Sequence, residues 1–218
     1  MIERDYIMRM VTQLTRALAR ILFLKKEEQF PEAVAEIDAT GRTLLGVDLA
    51  MMRLFSQAQL LQLFGKDDTL EIPKCYVLGV LLKEEADLMR LQGDGEQSKG
   101  VALKALSLLT ETYLRHGEVV EPDHISHVDF AIDLLAGTDL PPEIMAKVFR
   151  FYAAIGRYDK AEDALFDLLT LDSSYLPEGL RFYQDLLEKT DDNLQNGNLP
   201  RDEVIQALED LQARKSQP

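Results

Sequence analysis

Five places in the 218-residue chain bring together residue types that can do chemistry. Gly93-Asp94-Gly95-Glu96-Gln97-Ser98-Lys99-Gly100 has the glycines of a phosphate loop. Such a loop needs Lys and then Ser or Thr directly after its last glycine, and it follows a strand. Here Val101 and Ala102 follow, a helical pattern precedes, and Asp94 and Glu96 would repel phosphate, so a helix-to-helix turn is expected. Asp192 to Glu203 matches a calcium loop at Asp192, Asn196, Gly197 and Glu203, with Leu199 at the usual apolar position. Leu194 stands where the second oxygen ligand belongs, so the expectation is a hairpin turn with Gly197 at positive φ and Pro200 opening a helix. His124 and His127, beside Asp123 and Asp129, share a side of a helix at that spacing. The third histidine, His116, lies before the preceding loop, so the pair reads as solvated first-turn residues rather than metal ligands. Cys75, followed by Tyr76 and Val77, has no neighbouring base to make it a nucleophile and reads as a buried small hydrophobe. Carboxylate pairs such as Glu84-Glu85 read as solvated helix faces.

A charge asymmetry is more informative. Residues 1–26 hold Arg4, Arg9, Arg16, Arg20, Lys25 and Lys26 against Glu3 and Asp5, a net +4, which leaves −18 for the remaining 192 residues. At about 100° per residue, Arg9, Arg16 and Arg20 project within a narrow arc opposite the Ile7–Leu14–Ile21 stripe. Their spacing by seven and four suits bidentate carboxylate recognition. An acidic peptide and an anionic membrane surface are the two ligands such a ridge could take, and pairing with the protein's own acids or plain solvation is the alternative.

The elements that must carry these residues read as helices throughout. Ile7, Met10, Leu14, Ala17, Leu18 and Ile21 recur at three- and four-residue steps. Pro31, Pro73 and Pro141-Pro142 sit where helices begin, Ser56 and Ser174 where caps belong, and Gly46, Gly65, Gly117 and Gly137 where helices end. No segment has strand alternation. The reading is an all-α protein of about nine or ten antiparallel helices. No linker rich in Pro, Gly or Ser divides it, so residues 1–218 are expected to form one domain, with a frayed tail at Lys215–Pro218.

Composition agrees. Apolar residues make up 46% and charged residues 28%, enough for a packed core. A net charge of −14 argues against nucleic acid as a partner. One cysteine excludes an internal disulfide and a cysteine-ligated zinc site. No apolar run, Ile21-Leu22-Phe23-Leu24 included, approaches the roughly 20 residues that span a bilayer, and the N-terminus lacks the apolar core of a secretory signal, so a soluble cytoplasmic protein is expected.

Residues Glu143 to Ser173 carry an internal motif: Met145, Val148, Tyr152, the Gly156–Tyr158 turn, Ala161 and Leu165. This stretch resembles a tetratricopeptide repeat, a 34-residue helix hairpin, with Phe149 at a usually small position and Ser173 in place of the closing Pro. A second hairpin places Leu24, Phe30, Ala33 and Ile37 in the roles of Tyr152, Tyr158, Ala161 and Leu165; a third uses Leu91, Gln97, Gly100 and Lys104. The crossing residues Ala33, Gly100 and Ala161 are 67 and 61 positions apart, near two repeat lengths. The Ile2–Ile7 opening resembles that of an uncharacterised bacterial family of small tetratricopeptide-like proteins. The resemblance implies a degenerate solenoid and brings no activity with it.

The function expected is a non-catalytic protein–protein interaction scaffold without a cofactor or metal. Its partner would be a protein or peptide, with Arg9, Arg16 and Arg20 as the partner-binding residues. The alternatives are an enzyme with a Glu/His site in a helical cleft, or a self-assembling protein whose first helix forms a homo-oligomer seam.

Overall fold

The computed structural model describes residues 2–66, 69–116 and 123–215. They form twelve helices, ten of them seven residues or longer. In chain order these are α1 (Ile2–Lys26), α2 (Phe30–Leu45), α3 (Leu49–Met52), α4 (Gln57–Leu63), α5 (Ile72–Leu91), α6 (Gly95–His116), α7 (His124–Leu134), α8 (Pro142–Ala154), α9 (Tyr158–Leu171), α10 (Leu176–Leu187), α11 (Asp191–Asn196) and α12 (Arg201–Lys215). The expected all-helical class therefore holds. The extended pairing among the described residues is a two-rung antiparallel contact, β1 (Gly65–Lys66) with β2 (Thr69–Leu70). Gly117 and the tail beyond Lys215 lie outside the described residues. The chain gathers into two compact units, one up to Thr138 and one from Asp139.

In the first unit, α1 buries Met10, Leu14, Ala17, Ile21 and Leu24 at steps of four and three. These meet α2 at the buried Ala33 and Ile37, the residues expected at that crossing. Pro31 lies in the first turn of α2, and Gly46 closes it at φ 70°. Ser56 caps α4 in a reciprocal box with Gln59. The organising element is α5, buried on all sides from Cys75 to Leu88. Helices α1, α2, α6 and α7 pack around it. A helix enclosed on every face sits at the centre of its unit, with its neighbours packed around it.

The third expected hairpin is real, but its alignment needs correction. Gly100 is exposed, and a Cβ there would meet nothing within 4 Å. The close approach of α5 and α6 lies instead at Gly79, where a Cβ would stand 2.9 Å from Leu109 Cγ and 3.4 Å from Leu108 Cβ. The small residue sits where the helices approach most closely, and that point lies on the enclosed helix α5.

In the second unit, α8 and α9 form the antiparallel hairpin expected from the repeat motif. Gly156 turns at φ 77°, a conformation that costs glycine little, and the Arg157 N–H donates to the Tyr152 carbonyl at 3.0 Å. Ala161 is fully buried at the crossing, with Tyr152, Tyr158 and Leu165 buried around it. Phe149 is buried despite the motif's preference for a small residue, with its ring 5.2 Å from Phe182 of α10. Asp172 caps the 3₁₀ turn Ser173–Tyr175 that leads into α10, where Ser174 was the expected cap.

The calcium-like stretch is a helix and a turn. Asp192 lies inside α11, and Leu194 and Leu199 are core residues. Gly197 has φ −84°, and positive φ falls on Asn198 at 55°. Gly197 is required by proximity instead: a Cβ would lie 2.2 Å from the Tyr158 ring and 2.7 Å from the Gly156 carbonyl oxygen. No helix among the described residues is long and apolar enough to cross a membrane.

Candidate functional site

The ridge on α1 is exposed. Arg9, Arg16 and Arg20 face solvent, as do Met8 and Phe23 at 58% and 56% exposure. Arg9, Arg16 and Phe23 are seven residues apart and so share one line of the helix. Arg20 Nε lies 3.4 Å from Glu36 Oε2 on α2. Among the described residues no carboxylate pairs with Arg16. Arg16 and Arg20 edge a shallow groove of about 430 Å³ between α1 and α2, with Ala17, Thr40 and Leu44 among its lining residues.

A second arrangement lies elsewhere in the same unit, among residues the sequence reading assigned to solvent. Glu84 and Glu85 are buried, at 2% and 4% exposure, as are Lys83 and Asp87. The apolar run Cys75–Leu82 places α5 in the centre, and the next turn of that helix stays inside with it. The charges survive there because they meet one another. Glu84 is the hub: Lys25 of α1 donates to Oε2, and Lys83 reaches Oε1 at 2.5 Å. Lys25 also donates to Asp87 Oδ2 at 2.8 Å, and Arg90 donates to Asp87 Oδ1 at 2.6 Å. Burial alone would push both carboxyls up; Lys83 and Lys25 at Glu84, and Lys25 and Arg90 at Asp87, outweigh it and hold both below the usual range. Burial would depress Lys25, but the Glu84 and Asp87 carboxylates raise it overall.

The histidines also depart from expectation. His124 is buried, not solvated; its Nε2–H donates to the Leu109 carbonyl at 2.8 Å, and Nδ1 has no partner. His127 is partly buried, and its Nδ1 accepts from Lys83 at 3.1 Å. Tyr76 packs against both rings, at 4.9 and 6.0 Å between centroids. Burial, reinforced by Lys83, lowers His127 to about 4, and burial lowers His124 as well, so both imidazoles are neutral at pH 7. Among the described residues no three His, Cys, Asp or Glu side chains gather as a metal site.

Glu85 points to the other side of α5. Its Oε1 is 3.3 Å from Arg53 Nε, while Oε2 is buried without a hydrogen bond. Burial pushes this carboxyl up to about 7, against the pull of Arg53. Cys75 is fully buried and its thiol is pushed up to about 12 by burial, which fits an inert core residue. The glycine-rich stretch is a turn: Gly93 has φ 87°, Asp94 accepts from the Gln97 N–H at 3.3 Å, and Ser98 Oγ donates to the Ala86 carbonyl at 2.7 Å.

Lys25, Lys83, Glu84, Asp87, Arg90 and His127 line one open cleft of about 470 Å³ between α1, α5 and α7. The signals that could have found it were the continuous burial implied by Cys75–Leu82 and the position of Lys25 on the buried edge of α1. In the second unit, a hollow of about 620 Å³ lies along α8 and α10, where Arg150 makes a two-pronged pair with Glu178 at 2.6 and 2.7 Å.

No curated protein and no solved structure matches the chain. A family model does match, over residues 1–216. Its span covers both units, the exposed ridge and the buried charge cluster alike, and the chain belongs to DUF6483, a family of unknown function.

Proposed function

We propose that the protein is a non-catalytic interaction module that docks an acidic segment of a partner protein along the exposed face of α1. The observation that carries this reading is one line of helix on which the exposed Arg9 and Arg16, the second without a carboxylate partner among the described residues, run into the exposed ring of Phe23. A positive ridge on a chain of net charge −14 selects acidic ligands by contrast with its own surroundings. Exposed ion pairs supply only about 0.2–1 kcal/mol each. Met8 and Phe23 are a little over half exposed, so covering them adds about 1–2 kcal/mol each. Set against the cost of bringing two molecules together, these terms describe a weak and reversible contact. The tetratricopeptide-like pattern of the α8–α9 hairpin supports the same class of function, since stacked hairpins of that kind present extended faces to peptides. We read the site of action as the cytoplasm.

The test is reversal of Arg9 and Arg16 to Glu. Arg20 is left intact because a carboxylate there would face Glu36 and disturb the α1–α2 contact. Wild type and the double variant are immobilised and exposed to an extract of the source cell at low salt, then at high salt. A specific protein retained by wild type, lost by the variant and released by salt is expected. Retention of the same protein by both would overturn the reading. Sedimentation velocity of each form shows whether the acidic segment comes from a second copy.

A further inference from the structure

We propose that the cleft between α1, α5 and α7 binds a small amphipathic anion, a carboxylate or phosphate head on a short apolar body. The argument starts from unused hydrogen-bond donors. All four oxygens of Glu84 and Asp87 are held by Lys25, Lys83 or Arg90. Each lysine ammonium has three N–H groups. Lys25 spends two, on Glu84 and Asp87, and Lys83 spends two, on Glu84 and His127. Arg90 directs Nε and Nη2 to one oxygen of Asp87, which leaves part of its fork open. Lys26, also on the cleft wall, is exposed and pairs with no acid among the described residues. The cleft lining thus holds four cations against two carboxylates whose oxygens are already taken, and its cations retain unspent donors.

Apart from Ser126 and His127, the rest of the lining is apolar. Leu18, Leu22, Leu91 and Phe130 complete the walls, and Leu22 and Leu91 are 54% and 43% exposed. The cleft, about 470 Å³, lies within the range of small-molecule sites. Buried ion pairs contribute little net stability compared with apolar side chains of the same volume. A cluster of them beside an open, partly apolar cleft therefore fits a binding role better than a structural one. Three ammonium groups and a guanidinium in the lining, with both carboxylates already engaged, favour an anion over a metal cation. On α1 the cleft edge at Leu18, Leu22 and Lys25 lies across the helix from the Arg9–Arg16 line, and Lys26 about a quarter turn from it, so neither arginine lines this site.

Isothermal titration of the full chain with octyl phosphate, octanoate and octanol tests it. One saturable site is expected for at least one of the two anions, with octanol at least ten-fold weaker, and the stronger anion identifies the head group. Lys26→Gln/Arg90→Gln should weaken the anion at least ten-fold with helix content unchanged. Leu22→Ser should weaken it through the chain, and Arg9→Glu/Arg16→Glu should bind it as wild type does. The proposal is overturned if neither anion binds, if octanol binds as well, or if the Lys26/Arg90 variant binds like wild type.

Discussion

Two buried groups of the first unit titrate in opposite senses, and replacing one exposes the other. Glu85, pushed from 4.5 to about 7 by burial, holds its proton in the folded chain where the unfolded chain has released it. The unfolded state then binds fewer protons, so this group makes stability fall as pH rises from 4.5 to 7. His127, lowered from 6.5 to about 4, does the reverse. Here the unfolded state binds more protons, and stability rises with pH between about 4 and 6.5. At about 1.4 kcal/mol per pH unit, each effect is on the order of 3 kcal/mol. They largely cancel in the wild type, and the lowered His124 adds to the rising side. Glu85→Gln removes the falling limb, and Arg53, a third exposed, can turn its charge to solvent. Urea unfolding of both proteins at pH 4.5, 5.5, 6.5 and 7.5 is the assay, followed by circular dichroism. The wild type should show a shallow profile, and the variant should gain on the order of 3 kcal/mol relative to it between pH 4.5 and 7.5. Parallel profiles would refute the assignment of a proton to Glu85 at neutral pH.

Further outcomes follow from the packing. Ala161→Leu should overpack the α8–α9 crossing and cost about 1–3 kcal/mol, seen as a lowered thermal midpoint. Gly197→Ala should also destabilise, because its Cβ would meet the Gly156 carbonyl oxygen at 2.7 Å and backbone cannot yield as a side chain can; an unchanged midpoint would contradict this. Below pH 4.5, stability should drop steeply as Glu84 and Asp87, both held low by their cations, take up protons; Glu84→Gln should flatten that limb in acid titration.

What the sequence made legible is what depends on local period. Met10, Leu14, Ala17 and Ile21 share a face because their spacing requires it, and Ala33 and Ala161 mark crossings because little else fits there. Contacts distant in sequence were not legible. Gly100 and Gly79 are both small, and only the packing of α5 against α6 decides which of them the neighbouring helix touches. Glu84 and Glu85 follow the usual rule that charge means solvent, until α5 proves to be enclosed and Lys25, 59 positions before Glu84, arrives to pair it. Positive φ falls on Asn198, and Gly197 is needed for a different reason, that Tyr158 and the Gly156 carbonyl leave no room for a Cβ there.

Hydrogen–deuterium exchange of the captured complex, against the free protein, tests the docking face most directly. The account predicts slowed exchange in peptides spanning residues 6–23 of α1, with α8–α10 unchanged. Unchanged exchange in α1, with protection along α8 and α10, would contradict it.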